Sequence, residues 1–283
     1  MTDAHPLSPR HAGHDPEHGP EHGPVHGLAR DLPRLMDRRR LLTILGGLGL
    51  GATALPAAAA TCTVALPWET AGPFPADGTN ARAGQTVNAL AQQGILRRDI
   101  TASFGAFTGQ AEGVPLELEM HLADARGCTP LAGHAIYIWH CDGAGRYSLY
   151  NTPEANWLRG LGVADAQGRV RFTTIIPGCY PRRWPHIHFE LFDSPEAAIT
   201  GRASRLTAQL AFPEAEVTEV YQTQAARYPG ALRNLAGIPL ARDSIFRNNS
   251  PAQLAQQTLA MRGGAEMGYA ATVTIPVDLS AGR

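Results

Sequence analysis

From about residue 114 onward, apolar and polar residues alternate in short runs. In residues 114–122, Leu116, Leu118, Met120 and Leu122 alternate with polar positions, the period of a half-buried strand, with His121 on its outer face. Val170, Phe172 and Thr174 alternate in the same way with Arg169, Arg171 and Thr173, and residues 269–277 repeat the pattern. Residues 135–140, 186–192 and 206–212 complete the set of predicted strands, and residues 214–227 and 251–261 read as helices. Turns fall at Asp124-Ala125-Arg126-Gly127, at the glycine-rich run 143–147 and at Asp165-Ala166-Gln167-Gly168. Residues 61–80, with Pro67, Gly72, Pro73 and Pro75, predict an irregular extended arm. Short strands joined by such turns predict an all-β domain: a β-sandwich core with irregular loops and one or two short helices.

The first sixty residues have another character. Residues 1–35 hold six of the eleven histidines in a Pro/Gly-rich run without apolar periodicity, which predicts a disordered tail; Met36 is an alternative start. Residues 36–60 run from Arg38-Arg39-Arg40 through a short Gly/Leu/Ala stretch to four alanines, the layout of a twin-arginine export signal cleaved near Ala60. The expected location is therefore periplasmic or extracellular, with a retained membrane anchor as the competing reading. What remains, residues 61–283, is enough for one domain with a sizeable core.

Formal charge is −1, with no basic patch, so neither nucleic acid nor an anionic membrane is an expected partner; a homo-oligomer stays open. The chain has no lysine, which excludes Schiff-base chemistry and a lysine base. Four cysteines in an exported chain predict two disulfides. Cys128 and Cys141 flank a strand-like stretch and are the preferred pair, leaving Cys62 with Cys179.

The chemistry gathers in residues 179–189, Cys-Tyr-Pro-Arg-Arg-Trp-Pro-His-Ile-His-Phe. A strand puts His186 and His188 on one face and Ile187 and Phe189 on the other, so two imidazoles can grip one ion. Alone, a His-x-His is more often two surface histidines. Here Tyr180 stands just upstream, and Tyr147 leaves a glycine turn. A phenol ionises near pH 10 in water, so a phenolate ligand needs a strongly charged cation in a pocket of low dielectric. Two phenolates and two imidazoles suit Fe(III) better than Ca(II), Mg(II) or Zn(II).

These residues carry a resemblance. The run from Trp139 to Tyr147 resembles the Trp-x-x-Asn/Asp-x-x-Gly-x-Tyr segment of the intradiol ring-cleavage dioxygenases, and Tyr180-Pro181-x-Arg183-x-x-His186-x-His188 their second metal segment. Glu69-Thr70-x-Gly72-Pro73-Phe74 and Gln209-Leu210-x-Phe212 are similar to two further stretches, and the exported branch is the nearest form. The resemblance implies a non-haem Fe(III) with Tyr180 and His188 axial and Tyr147 and His186 equatorial. It implies a catechol-type substrate, O2 as co-substrate and a cis,cis-muconate-type product. Tyr180 would take a substrate proton, Arg183 would face the anionic ring, Gln209 would lie near it, and Trp139 would shape the pocket wall. The five residues between Tyr180 and His186 are far fewer than in the intracellular protocatechuate and catechol enzymes, so the ring substituents do not carry over.

Other classes weigh less. An exported β-sandwich binding module would leave the histidines incidental. A cupin needs a glutamate where Phe192 and Asp193 stand, and an amidohydrolase needs a (β/α)8 barrel, which this strand-rich, lysine-free chain does not predict.

Overall fold

The computed structural model describes Cys62 and residues 64–280; the predicted tail and export signal lie outside the described residues. Eleven strands are present: β1 (Asp77–Arg82), β2 (Gln85–Asn88), β3 (Pro115–Asp124), β4 (Thr129–Pro130), β5 (Ala135–Trp139), β6 (Arg159–Val163), β7 (Arg169–Ile175), β8 (His186–Phe192), β9 (Leu206–Ala211), β10 (Ala260–Gly264) and β11 (Gly268–Val277). Among the described residues four short α-helices accompany them: α1 (Pro195–Ile199), α2 (Glu214–Thr223), α3 (Ala231–Ala236) and α4 (Pro251–Gln257).

One sheet runs β6-β5-β8-β9, antiparallel throughout. The other centres on β3, which pairs in parallel with β11 and antiparallel with β7 and β4, while β10 pairs with β11. The alternation read in β3 is real: Leu116, Leu118, Met120 and Leu122 are buried, and between them stand Glu117, Glu119 and His121. They meet Ile136, Ile138, Ile187, Phe189, Leu206 and Leu210 from the facing sheet in one cluster. Each such side chain contributes about 1.5–3 kcal/mol by leaving water, so the sandwich core stabilises the framework that holds the second face of the β6-β5-β8-β9 sheet. That second face is covered as well, by the arm before β1 and by loops, and Trp139, Tyr147, Leu149 and Leu161 are buried there.

The predicted fold class stands, with corrections at its edges. The hairpin β1–β2, strands β4, β6 and β10 and helices α1 and α3 are not among the predicted elements, so the described residues hold four short helices where one or two are expected. The second predicted helix stops at Gln257, and its tail, from Ala260, is strand β10. The first stops at Thr223. Both predicted disulfides are wrong: Cys62 bonds Cys128, while Cys141 and Cys179 are free and buried. The arm's start runs beside the end of β11, where Leu66 N donates to Pro276 O, and the turn after β3 reaches the same place, where Ala125 N donates to Val277 O. Cys62 and Cys128 therefore meet at one edge of the β3 sheet. Cys141 instead lies two residues beyond β5 in the interior, with Sγ 3.5 Å from Gly178 O.

Candidate metal centre

Three strands place a row of side chains across the covered face. In register, Trp139 of β5 lies opposite His188 of β8, which lies opposite Gln209 of β9. His186, two residues before His188, shares that face, and Ile187 and Phe189 enter the sandwich core as predicted. Trp139 is wholly buried and stacks flat on the His188 ring, with centroids 4.9 Å apart and planes within 6°. It fixes the plane of that imidazole.

Two turns supply the tyrosines. Asp142 folds the 142–147 turn onto itself: Oδ1 accepts from Ala144 N and Arg146 N, and Oδ2 from Arg146 Nε at 2.8 Å. Gly145, at φ +80°, presses on Tyr180, whose Cβ would lie 2.9 Å from any Cβ at 145. A side chain there would be strained twice, by backbone and by contact. The turn thus brings Tyr147 against Tyr180.

The four predicted donors converge. Tyr180 Oη lies 3.2 Å from His186 Nε2, and Tyr147 Oη lies 3.5 Å from the same atom. The two phenol oxygens are 3.4 Å apart, and the two Nε2 atoms 3.1 Å apart. Donors held about 2.0–2.1 Å from one ion at angles of 90° to 109° lie about 2.9–3.4 Å apart. Three of the four distances fall in that window and Tyr147 Oη to His186 Nε2 lies just beyond it; among the described residues none of the four atoms has a hydrogen-bond partner outside the set.

Protonation states agree. His186 Nδ1 contacts the Trp184 carbonyl, which can only accept, so Nδ1 carries the proton and Nε2 offers its lone pair to the cluster. Burial, reinforced by the charge of Arg183, pushes His186 down to about 3. Burial also holds His188 well below the usual range, with His186 and Arg183 adding to it. Both rings are neutral and ready to ligate. Burial pushes Tyr180 up to about 12 and Tyr147 well above 10, while Arg183 pulls both back. Such phenols ionise only beside a strong cation. Among the described residues no group of three or more His, Cys, Asp or Glu side chains could hold a metal, so a site here must use the tyrosines. The residues fit a ferric ion.

Residues 96–234 match a family model described as Dioxygenase. Over 133 residues the chain is 32% identical to the protocatechuate 3,4-dioxygenase beta chain of Burkholderia cepacia, covering 42% of this chain and 53% of that protein. Over 135 residues it is 25% identical to a catechol 1,2-dioxygenase of a Pseudomonas species, covering 47% of this chain and 40% of that protein. Over residues 96–234, just under half of its length, the chain is similar to the dioxygenase family. It spans about half the length of these curated relatives. A solved intradiol ring-cleavage dioxygenase from Tetranychus urticae shares the fold, with TM-score 0.53 at 20% identity over 76% of this chain and 95% of that one.

Beside the four converging donors stands Arg183. Its Nε donates to Asp243 Oδ2 at 2.9 Å, and Nη2 donates to Gln209 Oε1, whose own Nε2 donates to Thr70 O at 3.2 Å. Asp243 also takes Trp184 N at 2.8 Å and is fully buried. Burial opposes its charge, but the Arg183 charge and the Trp184 N–H outweigh that and hold its carboxyl below the usual range. Arg183 and Gln209 are thus joined. Asp243, which aims the guanidinium, was missed. Its one local signal is the turn it caps, accepting Ile245 N at 2.8 Å, a pattern common to many loops.

Proposed function

We propose that the chain is a ferric intradiol dioxygenase, in which Tyr147, Tyr180, His186 and His188 hold Fe(III) and a catechol-type ring is opened with O2 to a cis,cis-muconate-type product. The observation that carries this reading is the closed set of two phenols and two neutral imidazoles, 3.1–3.5 Å apart along its measured edges. The names of the curated relatives, a protocatechuate and a catechol dioxygenase, support the substrate class.

Bound there, Fe(III) would hold both catechol oxygens and draw electron density from the ring, making a ring carbon reactive toward O2. The protein's side chains orient the ring and handle its protons. Tyr180 is half-buried where Tyr147 is wholly buried, so Tyr180 is the donor able to swing away and take a hydroxyl proton on its Oη. Arg183, fixed by Asp243 and Gln209, offers a charge that needs no reorganisation as the ring becomes anionic. Gly72 of the arm lies over His188, where a Cβ would sit 3.4 Å from the ring, and limits the access of water from that side.

The test is oxygen uptake by the iron-loaded protein with a panel of catechols, bulky ones included, together with its visible spectrum. A red-brown tyrosinate-to-iron band and muconate-type products are expected. A protein that stays colourless after ferric loading and consumes no oxygen would overturn the reading.

The same reading places the protein outside the cytoplasm, exported by the signal at residues 36–60. The Cys62–Cys128 disulfide supports an oxidising compartment. Replacing Arg39 and Arg40 together by lysine should retain the protein in the cytoplasm on fractionation. Unchanged export would remove the assignment.

A further inference from the structure

Arg159 opens β6 and is 1% exposed, yet among the described residues no carboxylate lies within ion-pair distance of it. Taking a guanidinium out of water without a counter-ion is costly, and only a full set of hydrogen bonds offsets it. Arg159 has that set. Nη2 donates to Phe74 O at 3.0 Å and to Ser148 O at 3.0 Å. Nη1 donates to Pro75 O at 2.9 Å and to Tyr137 Oη at 3.2 Å, and Nε donates to Ser148 Oγ at 3.1 Å.

The backbone acceptors belong to two stretches far apart in sequence, and a further acceptor, Tyr137 of β5, itself donates to Pro75 O at 2.9 Å. Phe74 and Pro75 are in the arm, about 85 residues before Arg159. Ser148 directly follows the donor Tyr147. The bridged stretches then touch through their rings: Phe74 lies 4.9 Å from Tyr147 and 5.0 Å from Tyr150. Tyr150 locks the arm again, accepting Ala76 N at 2.9 Å and donating to Asn80 Oδ1 at 2.6 Å. Ser148 Oγ passes its own proton to Trp157 O at 2.6 Å, so its lone pairs face Arg159. A planar fork with five N–H groups is the one side chain that can satisfy acceptors on both sides at once.

We infer that Arg159 is a positioning residue of the metal centre: by clamping the Phe74–Pro75 arm to the Tyr147–Ser148 loop, it fixes the aim of the Tyr147 phenol. The inference rests on the ferric reading above. A buried cation kept only for stability would be replaceable by an apolar side chain, with an effect on melting alone. A clamp that aims a ligand also sets the orbital overlap between phenolate and iron.

The test compares wild type, Arg159→Lys and Ser148→Ala for three quantities: ferric affinity in competition with a chelator, position of the tyrosinate-to-iron band, and thermal melting. Lysine keeps the charge and loses the fork, and is expected to weaken iron binding at least tenfold and to shift the band. Ser148→Ala removes one strand of the clamp and should fold normally. It is expected to shift the band in the same direction and to weaken binding about threefold. Lower melting with band and affinity unchanged in every variant that folds would overturn the inference, and so would a wild-type Ser148→Ala spectrum where the lysine variant does not fold. If the wild-type chain itself takes up no ferric ion, the underlying reading fails and this inference fails with it.

Discussion

Removing the Arg183 guanidinium would leave two groups behind: the fully buried Asp243 carboxylate and the Gln209 side chain. Breaking a buried pair from one side costs about 3–5 kcal/mol, because the surviving charge stays out of water. Arg183→Ala is therefore expected to lower stability by that order in urea unfolding, as well as to slow turnover. Adding Asp243→Asn removes the stranded charge and should recover most of the stability. Turnover should stay more than tenfold down in the double variant, at least about 1.4 kcal/mol on the barrier. A double variant as active as wild type would take Arg183 out of the catalytic machinery. At this scale the four converging donors were legible and their supports were not. His186 and His188 follow from the period of a strand, and the tyrosines from their place beside that strand and a glycine turn. Asp243 lies 60 residues from Arg183 in an irregular segment, where no period connects the two.

Between Tyr180 and His186 the chain must reverse quickly enough for Arg183 to return beside the donors. It does so in a turn with Pro181 at the second position, Arg182 at φ +69° and Arg183 N donating to Tyr180 O at 3.3 Å. That third position favours glycine, since an L side chain there costs about 1–2 kcal/mol. Arg182 is exposed, and among the described residues no hydrogen bond or ion pair of its side chain offsets the strain. Arg182→Gly should stabilise the fold by about 0.5–1 kcal/mol, after allowing for the freer unfolded chain. The tyrosinate band should not move; a loss of stability would mean that the turn is not strained. The elements that the pattern missed were hidden for different reasons. Strand β6 reads Arg-Gly-Leu-Gly-Val and lacks apolar alternation. Its glycines make room for the side chains of Ile100, Val170 and Phe172, which would sit 2.4–2.9 Å from Cβ atoms there. Helix α1 has five residues, too few to show a helical period, and depends on its Ser194 cap, which accepts Ala197 N at 3.2 Å.

Across the whole molecule, two features set how the domain answers its surroundings. The Cys62–Cys128 bond closes a 66-residue separation, worth about 4 kcal/mol by chain entropy. Cys128→Ser should lower the melting temperature by on the order of 10 °C, and an unchanged melt would show that the bond constrains nothing. Acid acts through the interior. His140 is fully buried, with Nδ1 against Cys141 O at 2.8 Å and Nε2 against Thr174 Oγ1 at 2.7 Å. The carbonyl takes the Nδ1 proton, so Nε2 accepts from the threonine hydroxyl and the ring is neutral. Burial, reinforced by the Arg159 charge and partly opposed by the Cys141 carbonyl, lowers its pKa from 6.5 to about 4. The unfolded chain therefore takes up this proton at a higher pH than the folded one. The stability that the neutral ring contributes is whole above pH 6.5, falls as pH drops, and is gone below about 4. The loss amounts to about 3 kcal/mol. Other groups titrate over the same range, the ligand histidines among them, so a slope in the wild type alone would not isolate His140. His140→Gln keeps one donor and one acceptor and cannot titrate there. Urea unfolding of both iron-loaded proteins at pH 7, 5.5 and 4.5 should show the variant losing less stability on acidification, with the two curves converging toward pH 4. Parallel curves would mean that His140 is protonated as easily in the fold as out of it, and that its neutral hydrogen-bonded state is not what acid removes.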